Sequence, residues 1–185
     1  MSSKTIVSRS IGRYVAQIRK IPGVPFPKAI TLSIKNANLR STADVRALLK
    51  QISTKCSNVV YLIVLNKTSA SATVLIKRFT AWKELNNKAI HASMSNPQNT
   101  KLNKALTLYV GSSQEDFRGR IRKHIGTANT RTYAMHLKEW LAPVSGEVEI
   151  KYLLFGATVT PLQLQIIEDS LWDHYAPLLG KRGAH

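Results

Sequence analysis

The sequence predicts an α+β fold, a small antiparallel sheet with helices packed around it, on three observations. Apolar, β-branched runs of strand length occur at Val59 to Leu65 and Ala105 to Val110, and Glu147 to Phe155 alternates. Stretches of helical periodicity lie between and beyond these runs. No internal repeat or low-complexity tract interrupts the order.

Taken in order, residues 3–20 read as a basic amphipathic helix with Ile6, Tyr14 and Ile18 near one side. Ile21 to Pro27 holds three prolines, which fix the backbone and remove donors, so it reads as a linker. Ala29 to Ile34 is a short strand candidate. Thr42 to Ile52 reads as a helix capped by Ser41 or Thr42, carrying Val45, Leu48, Leu49 and Ile52. Ser71 to Asn86 follows as a helix with Val74, Ile76, Phe79, Trp82 and Leu85 as its stripe. Residues 86–104 are polar, contain Asn96-Pro97, and read as an exposed loop.

Beyond the 105–110 strand, a glycine turn at Gly111 is expected to lead into a short helix crowded with cations. Five of the nine residues from Asp116 to His124 are Arg, Lys or His. Ser113 is the expected cap, with Asp116 three residues on. Phe117, Ile121 and Ile125 form its buried stripe, and Gly126 stops it. Arg120 and His124 are four apart and share a face. Tyr133 to Leu141 reads as another helix. Val148, Ile150, Tyr152 and Leu154 are expected on one side of the last strand. Thr160-Pro161-Leu162-Gln163 opens the final helix with a capping box, and Pro177 ends it.

The chain has 185 residues, the size of one domain, with 44% hydrophobic residues, enough for a packed core. Its 27 Lys plus Arg against 10 Asp plus Glu give a net charge of +17. Such a balance favours polyanionic partners, nucleic acid first and an acidic membrane surface second. No stretch approaches the roughly 20 apolar residues that span a bilayer, and the N-terminus shows no signal-peptide core. The single cysteine, Cys56, allows no intramolecular disulfide and fits a cytoplasmic location. The five histidines show no zinc spacing, and phosphate-loop, nucleophile-elbow and H-E-x-x-H motifs are absent.

Tyr109-Val110-Gly111, then Asp116-Phe117 and Arg120-Ile121 with His124, resembles the second half of the signature of the GIY-YIG nucleases. Val59-Val60-Tyr61 stands where the first half would be, and Glu168 where the family's metal-binding glutamate would be. The resemblance covers roughly residues 59–179. Gly-Ile-Tyr is Val-Val-Tyr here, and Tyr61 and Tyr109 lie 48 residues apart. Gly180 stands where several members carry an asparagine. The resemblance implies a three-stranded antiparallel core flanked by helices. Residues 1–58 are then an N-terminal helical extension, 59–185 the nuclease-like domain, and 66–104 a helical insertion between the first two core strands.

It also implies chemistry. Tyr61, Tyr109, Arg120, His124 and Glu168 become the catalytic set, with Glu168 the ligand of Mg²⁺ or Mn²⁺. A hard cation held by one carboxylate, waters and substrate phosphate oxygens suits Mg²⁺. Arg120 would fork onto the scissile phosphate. One tyrosine would activate or position the attacking water, or His124 would relay its proton. The expected substrate is DNA. Arg118, Arg122, Lys123, Lys181 and Arg182 are the candidates for contact with its backbone.

Each residue also has a plainer reading. Glu168 lies on the apolar stripe of its helix, with Leu164 before it and Leu171 and Trp172 after, and a salt bridge would satisfy it there. Tyr61 and Tyr109 read equally as core tyrosines, and His136 as a packing or surface histidine. The alternative function is a non-catalytic basic nucleic-acid-binding protein on a degenerate nuclease fold, its charge explained by phosphate contacts alone.

Overall fold

The computed structural model describes residues 27–86, 90–103, 105–128 and 133–183. The basic helix read over 3–20 therefore lies outside the described residues, as does all but the last residue of the proline linker. The architecture is mixed α+β, built on an antiparallel sheet of four strands rather than three. These are β1 (Ile30–Lys35), β2 (Val59–Asn66), β3 (Thr107–Ser113) and β4 (Glu147–Leu154), in the order β1-β4-β2-β3. The fourth strand is β1, which pairs along its whole length with β4, from Ile30 opposite Tyr152 to Lys35 opposite Glu147. Its residues alternate, with Leu32 and Ile34 buried, so it closes one side of the core instead of preceding it.

Among the described residues five α-helices pack around the sheet: α1 (Thr42–Lys50), α2 (Ala72–Asn86), α3 (Phe117–Ile125), α4 (Leu137–Trp140) and α5 (Pro161–Tyr175). Ser41 caps α1 by accepting from the Asp44 amide. The α5 capping box is present, with Thr160 and Gln163 bonded reciprocally. In α3 the cap is Asp116, which accepts from the Gly119 amide at 2.8 Å. Ser113 instead ends β3, because the strand runs three residues past Val110. Only the last turn of the helix expected at Tyr133 to Leu141 forms. Leu154 is exposed at the strand end, outside the face shared by Val148, Ile150 and Tyr152.

On α2 the buried residues are Ala72, Leu75, Ile76 and Phe79, whereas Val74 and Leu85 face solvent. The apolar stripe is thus narrower than the composition suggested. The main core joins Val59, Tyr61, Ile63 and Leu65 of β2 to Phe79, Trp140 and the Phe117, Ile121 and Ile125 stripe of α3. Burying each large side chain of that stripe contributes about 1.5–3 kcal/mol. A second, smaller cluster brings Val60 together with Phe155, Val159, Leu164 and Ile167. That cluster seats α5 against the sheet.

The segment 86–104 is not an exposed loop where it is described. Asn96, Asn99 and Asn103 are all buried, and a short 3₁₀ turn spans Pro97–Lys101. Their amides hold the chain that leaves α5. Asn96 donates to the carbonyls of Pro177 and Gly180, Asn99 to Pro177, and Asn103 to Thr107 and Ala176. Asn103 also accepts from the Thr107 amide at 2.9 Å. The departing chain bonds to the edge of β3, from the Leu178 amide to Thr107 and from Leu179 to Leu108. Polar side chains are used here to satisfy backbone groups that would otherwise be buried without partners.

No described helix is long and apolar enough to cross a membrane. Cys56 is a buried free thiol.

Candidate functional site on strands β2 and β3

The site begins with a register. Tyr61 lies opposite Gly111, and Ile63 opposite Tyr109, in the β2–β3 ladder. The next pair is Val64 with Thr107, so Leu108 is an extra residue and the strand bulges beside Tyr109. Both tyrosines thereby project on the side covered by α3. Gly111 is not in a turn; it lies inside β3 with a specific reason to lack a side chain. A Cβ there would sit 2.8 Å from the Tyr61 hydroxyl and 2.6 Å from Tyr109 Cε1. Its absence lets the Tyr61 ring lean across the strand. The two rings stack with centroids 6.0 Å apart and planes at 20°.

Phe117, Ile121 and Ile125 anchor α3, and that anchoring turns Arg120 and His124 inward. The Tyr61 hydroxyl lies 2.9 Å from His124 Nε2. Arg120 donates from Nε to the same hydroxyl at 3.4 Å and from Nη2 to the Tyr109 hydroxyl at 3.1 Å. The His124 ring packs on Tyr109 with centroids 4.4 Å apart. Four of the five expected residues are therefore linked by hydrogen bonds. Glu168, buried on α5, joins them through its charge, which pushes both phenols further up in pKa.

Electrostatics sort the roles. Burial raises the Tyr61 phenol far above its ordinary value; Tyr109 and Glu168 add to the rise and Arg120 opposes it. Tyr109 is raised for the same leading reason. Both are neutral phenols at neutral pH. His124 is held well below its ordinary value, first by burial, then by Arg120, His136 and Lys123, so it is a neutral imidazole. Its Nδ1 is buried without a hydrogen-bond partner among the described residues. Arg120 is less buried than Tyr61, Tyr109, His124 and Glu168.

A divalent ion must be weighed against the donors present. Among the described residues no group of three or more His, Cys, Asp or Glu could hold a metal ion. An all-protein cage is thus not on offer there. One buried carboxylate, whose charge is felt by both phenols, suits a hard ion that keeps its waters and borrows phosphate oxygens from a substrate.

The cations expected to meet a nucleic-acid backbone divide by circumstance. Arg122 and Lys181 are exposed, and Lys123 half-exposed. Arg118 donates from Nε and Nη2 to the Ile52 carbonyl, tying α3 to the end of α1. Arg182 forks onto Asp173 at 2.7 and 2.9 Å and lies 3.8 Å from Asp169. His136 is a packing residue, buried against Trp82 with Nε2 3.2 Å from the His91 carbonyl.

Two features around the site had no counterpart in the sequence reading. One is the asparagine clamp, which delivers Gly180 onto Tyr109. At φ +102°, a Cβ on Gly180 would lie 2.8 Å from Tyr109 Cε2. The recurrence of asparagine at 96, 99 and 103 was its only trace. The other is a pair of cations on α1, Arg46 and Lys50, facing Arg118 and Arg122.

No family model, curated protein or solved structure matches this chain.

Proposed function

We propose that this protein is a metal-dependent endonuclease of the GIY-YIG type, hydrolysing phosphodiester bonds in DNA at Tyr61, Tyr109, Arg120, His124 and Glu168. One observation carries the reading: the Tyr61 hydroxyl is shared by His124 and Arg120, while the Glu168 charge acts on both phenols. A core tyrosine needs one partner for its hydroxyl. A tyrosine joined to a neutral base, a guanidinium and a buried acid is arranged for proton and phosphate chemistry.

The scissile phosphate docks on Arg120, whose remaining N–H groups are aimed by its bonds to the two tyrosines. A water attacks phosphorus in line with the leaving 3′-oxygen. As its O–P bond forms, its proton passes to the Tyr61 oxygen and the Tyr61 proton passes to His124 Nε2. This relay spares Tyr61 from becoming a free phenolate, which its burial disfavours. The imidazolium so formed is offset by the phosphate's negative charge. The P–O3′ bond breaks, and the 3′-oxygen takes a proton from solvent. Glu168 would hold the divalent ion, whose positive charge, when bound, stabilises the leaving oxygen. Arg122, Lys123 and Lys181 hold the flanking backbone.

Supercoiled plasmid, single-stranded DNA and RNA incubated with the purified protein in Mg²⁺ or EDTA test the proposal. Nicked or linear plasmid with Mg²⁺ and intact plasmid with EDTA are expected. Binding without cutting, in Mg²⁺ and Mn²⁺ alike, overturns it in favour of a non-catalytic nucleic-acid-binding protein.

A further inference from the structure

Helix α3 has two faces that both carry cations. Arg120 and His124 point into the tyrosine cluster, while Arg118 and Arg122, two residues out of phase, point toward α1. Between α1 and α3 lies an open groove of about 310 Å³, with Val45 and Leu49 beneath and Arg46, Lys50, Arg118 and Arg122 around it. That volume is at the lower end of the roughly 300–1,000 Å³ typical of ligand sites. No carboxylate lines the groove. A second groove of the same volume, beside β1, sets Asp44 and Glu147 against Lys35 and has no single sign. The single sign of charge is therefore a feature of the α1–α3 groove that the groove beside β1 does not share.

We infer that the α1–α3 groove binds the sugar-phosphate backbone of duplex DNA, with Arg46 and Lys50 as phosphate-binding residues separate from the tyrosine site. The inference rests on the proposed function for the identity of the polyanion. Three features favour a polymer backbone over a small phosphorylated ligand. The cations are spread along two helices, and Arg46, Lys50 and Arg122 are exposed. None of these three forms an ion pair among the described residues. The same helix offers Arg120 on its other side, so one strand running over α3 would meet both sets. Arg118 is the fixed point, because its bonds to Ile52 hold the two helices in register. Thus α3 carries the backbone on one flank and the reacting phosphate on the other.

The test uses the full chain with Arg46→Gln and Lys50→Gln combined, substitutions that keep helix propensity and remove only charge. Affinity for a short fluorescent DNA duplex is measured over a range of salt, with melting temperature on the same preparation. The expected result is binding weaker by about tenfold at physiological salt. The slope of log K against log salt should be shallower by about 1.8, for two lost phosphate contacts. Arg46→Lys with Lys50→Arg should restore both. Unchanged affinity and slope overturn the inference. So does unchanged duplex binding combined with inorganic phosphate perturbing the Arg46 and Lys50 resonances, which would mark a free-anion site. If the Gln pair weakens binding while the wild type never cuts, the groove stands and the nuclease reading falls. If the wild type cuts and the Gln pair binds as it does, the groove falls alone.

Discussion

The Tyr61 hydroxyl and His124 Nε2 lie 2.9 Å apart across the β2–α3 interface, and both side chains are fully buried. The contact joins residues 63 positions apart in the chain. It is held from three directions: by the Phe117 ring against Tyr61, by Arg120 on the same hydroxyl and by Tyr109 against the imidazole. Both groups are buried, so in the resting protein the cluster itself supplies their hydrogen-bond partners.

Replacing Tyr61 by Phe keeps the ring and removes the hydroxyl. His124 Nε2 then loses its partner and Arg120 one of its acceptors. A stability loss of about 1–3 kcal/mol is expected in urea unfolding. Cleavage should fall by about 10²–10⁴-fold at equal folded concentration. Full cutting by a stable variant would remove Tyr61 from the chemistry.

Acid should destabilise the fold through His124. Its folded pKa lies well below the ordinary 6.5, so below pH 6.5 the unfolded chain takes up a proton that the folded chain refuses. Stability is therefore full above pH 6.5 and falls as the pH drops below it. His136, lowered chiefly by its burial, acts in the same sense. The midpoint of urea unfolding followed from pH 7.5 to about 5 measures this. It should decline in the wild type and decline less in His124→Gln; equal declines would contradict the assignment.

How much of this was legible in the sequence depends on whether a residue's role is local. The α3 stripe, the α5 capping box and the place of Glu168 on its helix follow from spacing alone, and they were readable. So was the pairing of Arg120 with His124, four residues apart on one helix. Pairings between distant segments were not. The segment Ala29 to Ile34 had the look of a strand, but nothing local says that it docks on β4. Gly111 was read as a turn because glycine usually punctuates; its reason is the Tyr61 ring leaning over it, a contact across 50 residues. Asn96, Asn99 and Asn103 were read as solvated because they are polar. Their amides instead serve carbonyls more than 70 residues away, at Pro177 and Ala176.

Gly180 supplies a prediction opposite to the resemblance. Introducing an asparagine with Gly180→Asn would force a side chain into a left-handed backbone at φ +102°, against the Tyr109 ring. The expected result is a destabilisation of about 1–3 kcal/mol and a loss of cutting. Calorimetry and plasmid cleavage on one preparation check it. Increased activity would show that Tyr109 has room to move and that the glycine is not required by packing.

Glu168→Gln separates the proposed metal ligand from a structural acid. The change keeps shape and hydrogen-bonding capacity and removes the charge a divalent ion needs. Duplex affinity, melting temperature and Mg²⁺-dependent plasmid cleavage are measured on the same preparation. The expected result is a folded protein that binds DNA as well as the wild type or slightly better, and cuts it at least about 100-fold more slowly. Retained cutting per folded molecule, with a lowered melting temperature, would contradict it.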